Sequence, residues 1–209
     1  MVKKYVVLSF ASSSEALEFV ELAEKLVGEG VEFIVKGNKV KAIALTSTSA
    51  TQSLARVREV YRYWRMSTAP SSGVYRHPLP IVFSMAELAA SIPPRCIAVA
   101  LRLMGFRAEV SGSFLVTDAT LQLVVRTAER VSRAYREALA LNVTPSLRRI
   151  ISASSAALDL PPANVLETLH RTGAVKYLAD RNVWTMCLSE EKILEILKGL
   201  GEHGNKDTR

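Results

Sequence analysis

Arg58, Arg62 and Arg65 are spaced i, i+4, i+7, and Arg126, Arg130 and Arg133 repeat that spacing. On a helix each trio falls on one face, with neighbouring side chains about 5–6 Å apart. Guanidinium groups are permanently charged, planar and forked, so they suit phosphate oxygens and stack on bases. The chemistry implied is sequence-independent contact with a nucleic-acid backbone. Tyr63 lies among the first trio on the side that helical spacing leaves exposed, where an aromatic ring can stack a base. Tyr61 and Trp64 fall on the opposite, core-facing side. Lys36 and Lys39 flank Gly37-Asn38, with Lys41 beside them, and Arg181 marks a later turn. The competing reading of the trios is a solvated helix face, partly neutralised by Glu59, Glu129 and Glu137.

Catalytic chemistry finds little to work with. His77, His170 and His203 are isolated from one another, and none stands at metal-ligand spacing with another His, Cys or Asp. The four aspartates, Asp118, Asp159, Asp180 and Asp207, fall at turns, element ends or the tail. Gly28-Glu29-Gly30 follows a helix pattern instead of opening one, which is the wrong context for a dinucleotide fingerprint. The expectation is a protein without catalysis, metal or cofactor. Cys96 and Cys187 both lie in apolar patterns and are expected to be buried and unpaired.

The charge is unevenly placed. The chain has 209 residues and a net charge of +7. Residues 1–41 hold six Lys and six Glu, and residues 176–209 are also balanced. The stretch 42–175 holds fifteen Arg and no Lys against six Glu and two Asp, so the whole excess is arginine. The longest apolar run, Cys96 to Met104, is interrupted by Arg102 and is too short for a bilayer. Tyr5 to Leu8 is too short for a signal-peptide core. A cytoplasmic protein with no membrane contact is expected.

The elements that must position these residues follow from periodicity and punctuation. Tyr5–Phe10 reads as a strand, and a serine among Ser12, Ser13 and Ser14 caps a helix running to about Val27. Val31–Val35 and Val40–Leu45 form a hairpin around Gly37-Asn38. Ser53–Met66 is a helix with Leu54, Val57 and Trp64 inward. Thr68–Pro80, with three prolines, two serines and a glycine, reads as a linker. Ile81–Phe83 reads as a strand and Ala86–Ser91 as a helical turn. Then come a helix from Pro94 to Met104, a hairpin of Phe106–Val110 with Phe114–Thr117, and a long helix from Leu121 to Leu141. Helices at Ser146–Leu158 and Ala163–Arg171, a hairpin of Val175–Leu178 with Val183–Cys187, and a helix at Glu190–Leu200 complete the chain.

The chain also repeats itself. Residues 93–117 align without a gap on 161–185 at an offset of 68: Pro93-Pro94 on Pro161-Pro162, Leu101 on Leu169, Gly105 on Gly173, Thr117 on Thr185. At an offset of 75, Gly30, Val35, Gly37 and Val40 fall on Gly105, Val110, Gly112 and Leu115. Each unit is helix, glycine stop, hairpin, helix, which is the signature of duplication.

Residues 146–200 resemble a winged-helix domain: helix, the short turn Asp159-Leu160-Pro161, a second helix and a basic-tipped hairpin. Such domains set the second helix in the DNA major groove or bind proteins. Here that helix offers Asn164, Thr168, His170 and Arg171, with Glu167 opposing phosphate. Residues 3–66 look like part of a ferredoxin-like or KH-like sandwich, but no Gly-x-x-Gly clamp or aromatic RNP signature is present. Over its length, the chain is similar to a family of uncharacterised archaeal proteins. The residues carrying the likeness are Glu32-Phe33-Ile34-Val35-Lys36-Gly37-Asn38, the Val57–Trp64 helix, and the spacing from Pro93-Pro94 to Gly105. That resemblance carries no activity with it.

The expected fold is α+β in three αβ units: a βαββα sandwich at 1–67, a linker at 68–80, an αββα unit at 81–145 and a winged-helix-like unit at 146–200, with a polar tail at 201–209. The expected function is nucleic-acid binding, RNA favoured over DNA, through Arg58, Arg62, Arg65, Tyr63, Arg126, Arg130, Arg133, Lys36 and Lys39. The alternative is an interaction or scaffold subunit whose arginines pair with acids on a protein partner.

Overall fold

The aromatic and β-branched residues Tyr5, Val6 and Val7 give β1 (Tyr5–Ser9), and Ser12 then caps α1 (Ser13–Val27) by accepting from the Glu15 amide at 3.1 Å. In the computed structural model, which describes residues 4–45 and 50–204, the chain divides into two compact units, Met1–Ser71 and Ser72–Arg209.

The first unit continues with β2 (Val31–Lys36), β3 (Lys39–Ala44) and α2 (Ala50–Thr68). Gly37, at φ 58, takes the first position of the two-residue turn between β2 and β3, where a side chain would be strained. The sheet runs β1-β3-β2, antiparallel throughout. Both helices lie on one side of it. Leu8, Val40 and Ala42 face Phe19, Leu22, Leu54, Val57 and Trp64, all buried. Phe10, Phe19, Tyr61 and Trp64 form an edge-to-face cluster with centroids 5.0–6.2 Å apart. The Trp64 indole N–H donates to Glu15 Oε1 at 3.1 Å, and Glu15 Oε2 accepts from the Ala11 amide at 2.7 Å. One carboxylate thus fixes the entry to α1 and satisfies the buried indole.

The second unit begins earlier than the sequence suggests. Within the expected linker, Tyr75–Pro78 is a strand, β4. It lies at the sheet edge, where proline's missing N–H is tolerated. Ile81–Phe83 is not a strand but the middle of a short helix, α3 (Leu79–Met85), with Pro80 in its first turn and Ile81 and Val82 buried. Ala86–Ser91 is not helical. Its backbone is held by the next long helix, with Glu87 N–H on Glu129 Oε1 at 3.2 Å and Ala89 N–H on Ser132 Oγ at 2.8 Å. Next come α4 (Pro94–Leu103), β5 (Ala108–Ser111), β6 (Phe114–Thr117), α5 (Leu121–Ala138), α6 (Pro145–Leu158), α7 (Pro162–Arg171), β7 (Val175–Leu178), β8 (Val183–Met186) and α8 (Glu190–Gly204). Helix α8 therefore takes in the start of the expected tail. Residues 205–209 lie outside the described residues.

The offset of 68 persists in the hydrogen bonds. Phe106 N–H bonds Leu101 O, and Ala174 N–H bonds Leu169 O. Gly105 N–H bonds Arg102 O, and Gly173 N–H bonds His170 O. The pairs Ala108–Thr117, Glu109–Val116 and Val110–Leu115 recur as Lys176–Thr185, Tyr177–Trp184 and Leu178–Val183. Hairpin β2–β3 keeps the register too, pairing Val35 with Val40. The surroundings differ. β4 adds a third strand beside β6, whereas β8 gains only a bridge from Val143 to Trp184.

The second and third expected units share one core, which corrects the boundary placed between them. Ala138 of α5 and Leu147, Ile150 and Ile151 of α6 pack with Val165, Leu169, Val175, Ile193 and Leu197, and Leu103 of α4 packs against this cluster. The run Ser152–Ala156 is buried throughout, so α6 presents small side chains that let its neighbours approach closely.

Candidate nucleic-acid interface

Arg58, Arg62 and Arg65 are all exposed on α2, as helical spacing requires. Tyr63 is half-buried and already engaged: its hydroxyl donates to Glu59 Oε1 at 3.0 Å, and the Arg62 guanidinium lies over its ring, 5.4 Å from the centroid. Trp64 belongs to the core; Tyr61 is half-buried, its ring edge-on to Phe10 and Phe19 and its hydroxyl donating to Ser9 O at 2.7 Å.

The row on α5 belongs to the other compact unit and is less uniform. Arg126 and Arg133 are exposed, opposite the buried stripe of Val124, Ala128 and Val131. Arg130 is half-buried and tied to Asp159 at 2.9 Å. Asp159 is placed for this by its left-handed backbone at the end of α6, φ 58. Arg130, Arg133, Glu137 and Asp159 line an open cleft of about 350 Å³, so two acids sit among the bases there.

Lys36 and Lys39 flank the turn between β2 and β3, and both are exposed. The turn is pinned: Asn38 Nδ2 donates to Phe10 O at 2.9 Å, and Phe10 N–H donates to Asn38 O at 2.9 Å. The antiparallel register sets these lysines in cross-strand rows on the side of the sheet opposite α1 and α2. Ser9, Lys39 and Lys36 form one row, Val7, Lys41 and Ile34 the next, and Tyr5, Ile43 and Glu32 the third. Tyr5 is 55% exposed, Val7 51% and Ile34 37%. The Lys41 ammonium stands 4.3 Å from the Tyr5 ring centroid. Lys41 stood beside the turn lysines in the sequence; Tyr5, Val7 and Ile34 were not among the sequence candidates. The signal was present in the alternation that opens β3, but Tyr5–Leu8 reads as a continuous apolar run until the register shows which side it faces. The sheet also separates the two cationic groups of this unit: the lysines lie on its helix-free side, the arginines in the helix layer.

His77 is buried in β4, with Nε2 2.9 Å from Ala119 O; burial lowers its pKa, against the opposing pull of that carbonyl. His170 packs edge-on against Trp184 at 4.8 Å. Cys96 is buried and Cys187 exposed, so the expected burial holds for Cys96 alone; both are free thiols. Cys187 directly follows β8, where the chain leaves the hairpin for α8. Among the described residues no group of three or more His, Cys, Asp or Glu is arranged to hold a metal ion, and no helix is long and apolar enough to cross a membrane.

No curated protein and no solved structure matches the chain. A family model described as an uncharacterized protein conserved in archaea (DUF2067) covers residues 8–193, which include both compact units almost entire. The chain therefore belongs to this conserved archaeal family.

Proposed function

We propose that this protein binds single-stranded nucleic acid, RNA before DNA, through the helix-free sheet face of its first unit. The observation that carries the reading is the composition of that face: Val7 and Ile34 exposed in one row with Lys41, the Tyr5 ring beneath the Lys41 ammonium, and Lys36 and Lys39 in the next row, against the carboxylate of Glu32. Bases stack on rings and apolar surface irrespective of sequence, while ammonium groups neutralise phosphates. An open sheet offers these together only to unpaired bases, and single-stranded segments are the usual targets of RNA-binding sheets. Arg58, Arg62 and Arg65, and Arg126 with Arg133, add sequence-independent backbone contacts. Winged-helix contact through α7 is the weaker reading. Glu167 shares that helix with Asn164 and Arg171, and His170 is taken up by Trp184.

The test is the affinity of the whole protein for a short single-stranded RNA as salt is raised. Three lysine–phosphate contacts give a log–log slope near about −2 from this face alone. Reversing Lys36, Lys39 and Lys41 to Glu should abolish binding, with the circular dichroism spectrum unchanged. Folded variant protein that binds as before would refute the reading. A second reading, docking of a protein partner, is favoured specifically by the exposure of Val7 and Ile34. It predicts affinity that barely responds to salt and is lost on Val7→Asp.

A further inference from the structure

In the second unit, an open cleft of about 580 Å³ lies between hairpin β5–β6, the end of α4 and helix α8. Its volume falls in the range of small-molecule sites, about 300–1,000 Å³. Phe106, Val74 and Val116 supply apolar wall. Arg102, Arg107 and Lys198 line it with positive charge, against the single carboxylate of Glu109. Arg107 is already held by Asp118, through Nε at 3.2 Å and its backbone N–H at 2.9 Å. Arg102 is less committed: it reaches Glu190 by one contact of 3.4 Å, and its buried Nε has no hydrogen-bond partner. The Arg102 side chain is 42% exposed, so its charge is open to an anion in the cleft. The adjoining cleft, of about 310 Å³, shares Arg102 and Glu109 but adds Glu190 and Glu191 against Arg95, which disfavours an anion there.

We propose that the larger cleft binds a nucleoside monophosphate, free or as the 5′-phosphorylated end of an RNA strand. Arg102 and Lys198 take the phosphate, Arg102 offering the planar fork that phosphate oxygens match. The base lies on Phe106 between Val74 and Val116, and Glu109 accepts from sugar hydroxyls. The three parts of the ligand answer the three kinds of group in the wall. This site does not rest on the sheet reading, since its residues belong to the other unit.

The experiment is equilibrium dialysis of the full-length protein against AMP, with adenosine and inorganic phosphate as separate probes. AMP should bind saturably and at least ten-fold more tightly than either fragment. Arg102→Gln and Lys198→Gln should each weaken it about ten-fold or more, as loss of a charged hydrogen bond does. Lys198 is exposed on α8, so its variant guards against misfolding of the first. Replacing Lys36, Lys39 and Lys41 by Gln should leave AMP binding unchanged. A 5′-phosphorylated RNA that displaces AMP better than its 5′-hydroxyl twin identifies a strand end as ligand, and failure of both strands to displace AMP identifies the free nucleotide. Absence of saturable AMP binding up to millimolar concentration would overturn the site. So would binding indifferent to both variants, or binding lost with the sheet lysines.

Discussion

Burial sets the two cysteines apart. Removal from water pushes the Cys96 thiol up to about 12, with Arg149 pulling weakly the other way, so it stays protonated and unreactive. Cys187 is exposed. Iodoacetamide at neutral pH should therefore modify one thiol in the folded protein, Cys187, and two after denaturation, as mass spectrometry would show. Early labelling of Cys96 would mean that α4 opens readily. His77 follows the same rule with the opposite sign, because it is the cation that burial disfavours. Its folded pKa lies below the ordinary 6.5. The unfolded chain thus takes up a proton first as pH falls. Stability from this residue is complete above about 6.5, declines as pH drops below it, and levels off beneath the folded value. In His77→Gln the urea midpoint should change less between pH 7 and pH 5. An identical pH profile in both proteins would show that His77 is not the responsible group. At this scale the sequence was legible where residue type decides, as with the inward Trp64 and outward Arg58. It was not legible where a partner distant in the chain decides. Asp159, 29 residues away from Arg130, and Ala119, 42 away from His77, leave no periodic trace.

The elements carry the repeat, and their glycine stops test it. Gly105 sits at φ 92 and Gly173 at φ 70, and an added Cβ at either would meet nothing within 4 Å. Replacement by Ala therefore strains the backbone without a clash, at a cost of about 1–2 kcal/mol each. Because the flanking hydrogen bonds are equivalent, the two variants should lose similar stability in urea titration. A loss at one site alone would show that the shared geometry is not shared energetics. The pattern of helix, glycine and hairpin was readable because each part is local: Pro at the helix start, Gly at its end, alternation beyond. Ile81–Phe83 failed for a physical reason. Three apolar residues have no period, and Pro80 in the first helical turn decided the outcome. β4 failed because a strand containing Pro78 is stabilised by pairing with β6, which lies far along the chain. The sheet face of the first unit was half legible. Lys36 and Lys39 were found from their turn, but Tyr5 needed the register of β1 on β3 to be placed beside Lys41.

At the scale of the whole chain, charge and compactness divide differently from sequence punctuation. Residues 1–71 carry six Lys and four Arg against seven Glu, net +3, leaving +4 for 72–209. Neither unit monopolises the excess, which is why reversal of one row can be set against reversal of another. Arg130 is a poor choice for that comparison, since Glu there would face Asp159. Arg126→Glu with Arg133→Glu in the second unit should reduce RNA affinity modestly and uniformly across sequences. The sheet-lysine reversal should remove it. If the arginine pair proves the more damaging, the second unit holds the main phosphate surface. The junction gives the last test. β4 is paired and α3 is packed, so the proline-rich stretch narrows to the few exposed residues between α2 and β4, where Ser72 and Gly73 both have positive φ. This segment holds no Lys or Arg, so trypsin has nothing to cut in it, and Arg65 and Arg76 lie within elements. A broad-specificity protease should instead nick the folded protein first at 69–73 and release fragments ending near Ser71 and beginning near Ser72. Exposed, weakly bonded backbone is what such enzymes select. A first cut between α5 and α6 would show that the shared core of Ala138, Leu147, Ile150 and Leu169 opens more easily than the junction, and that the second unit is itself two.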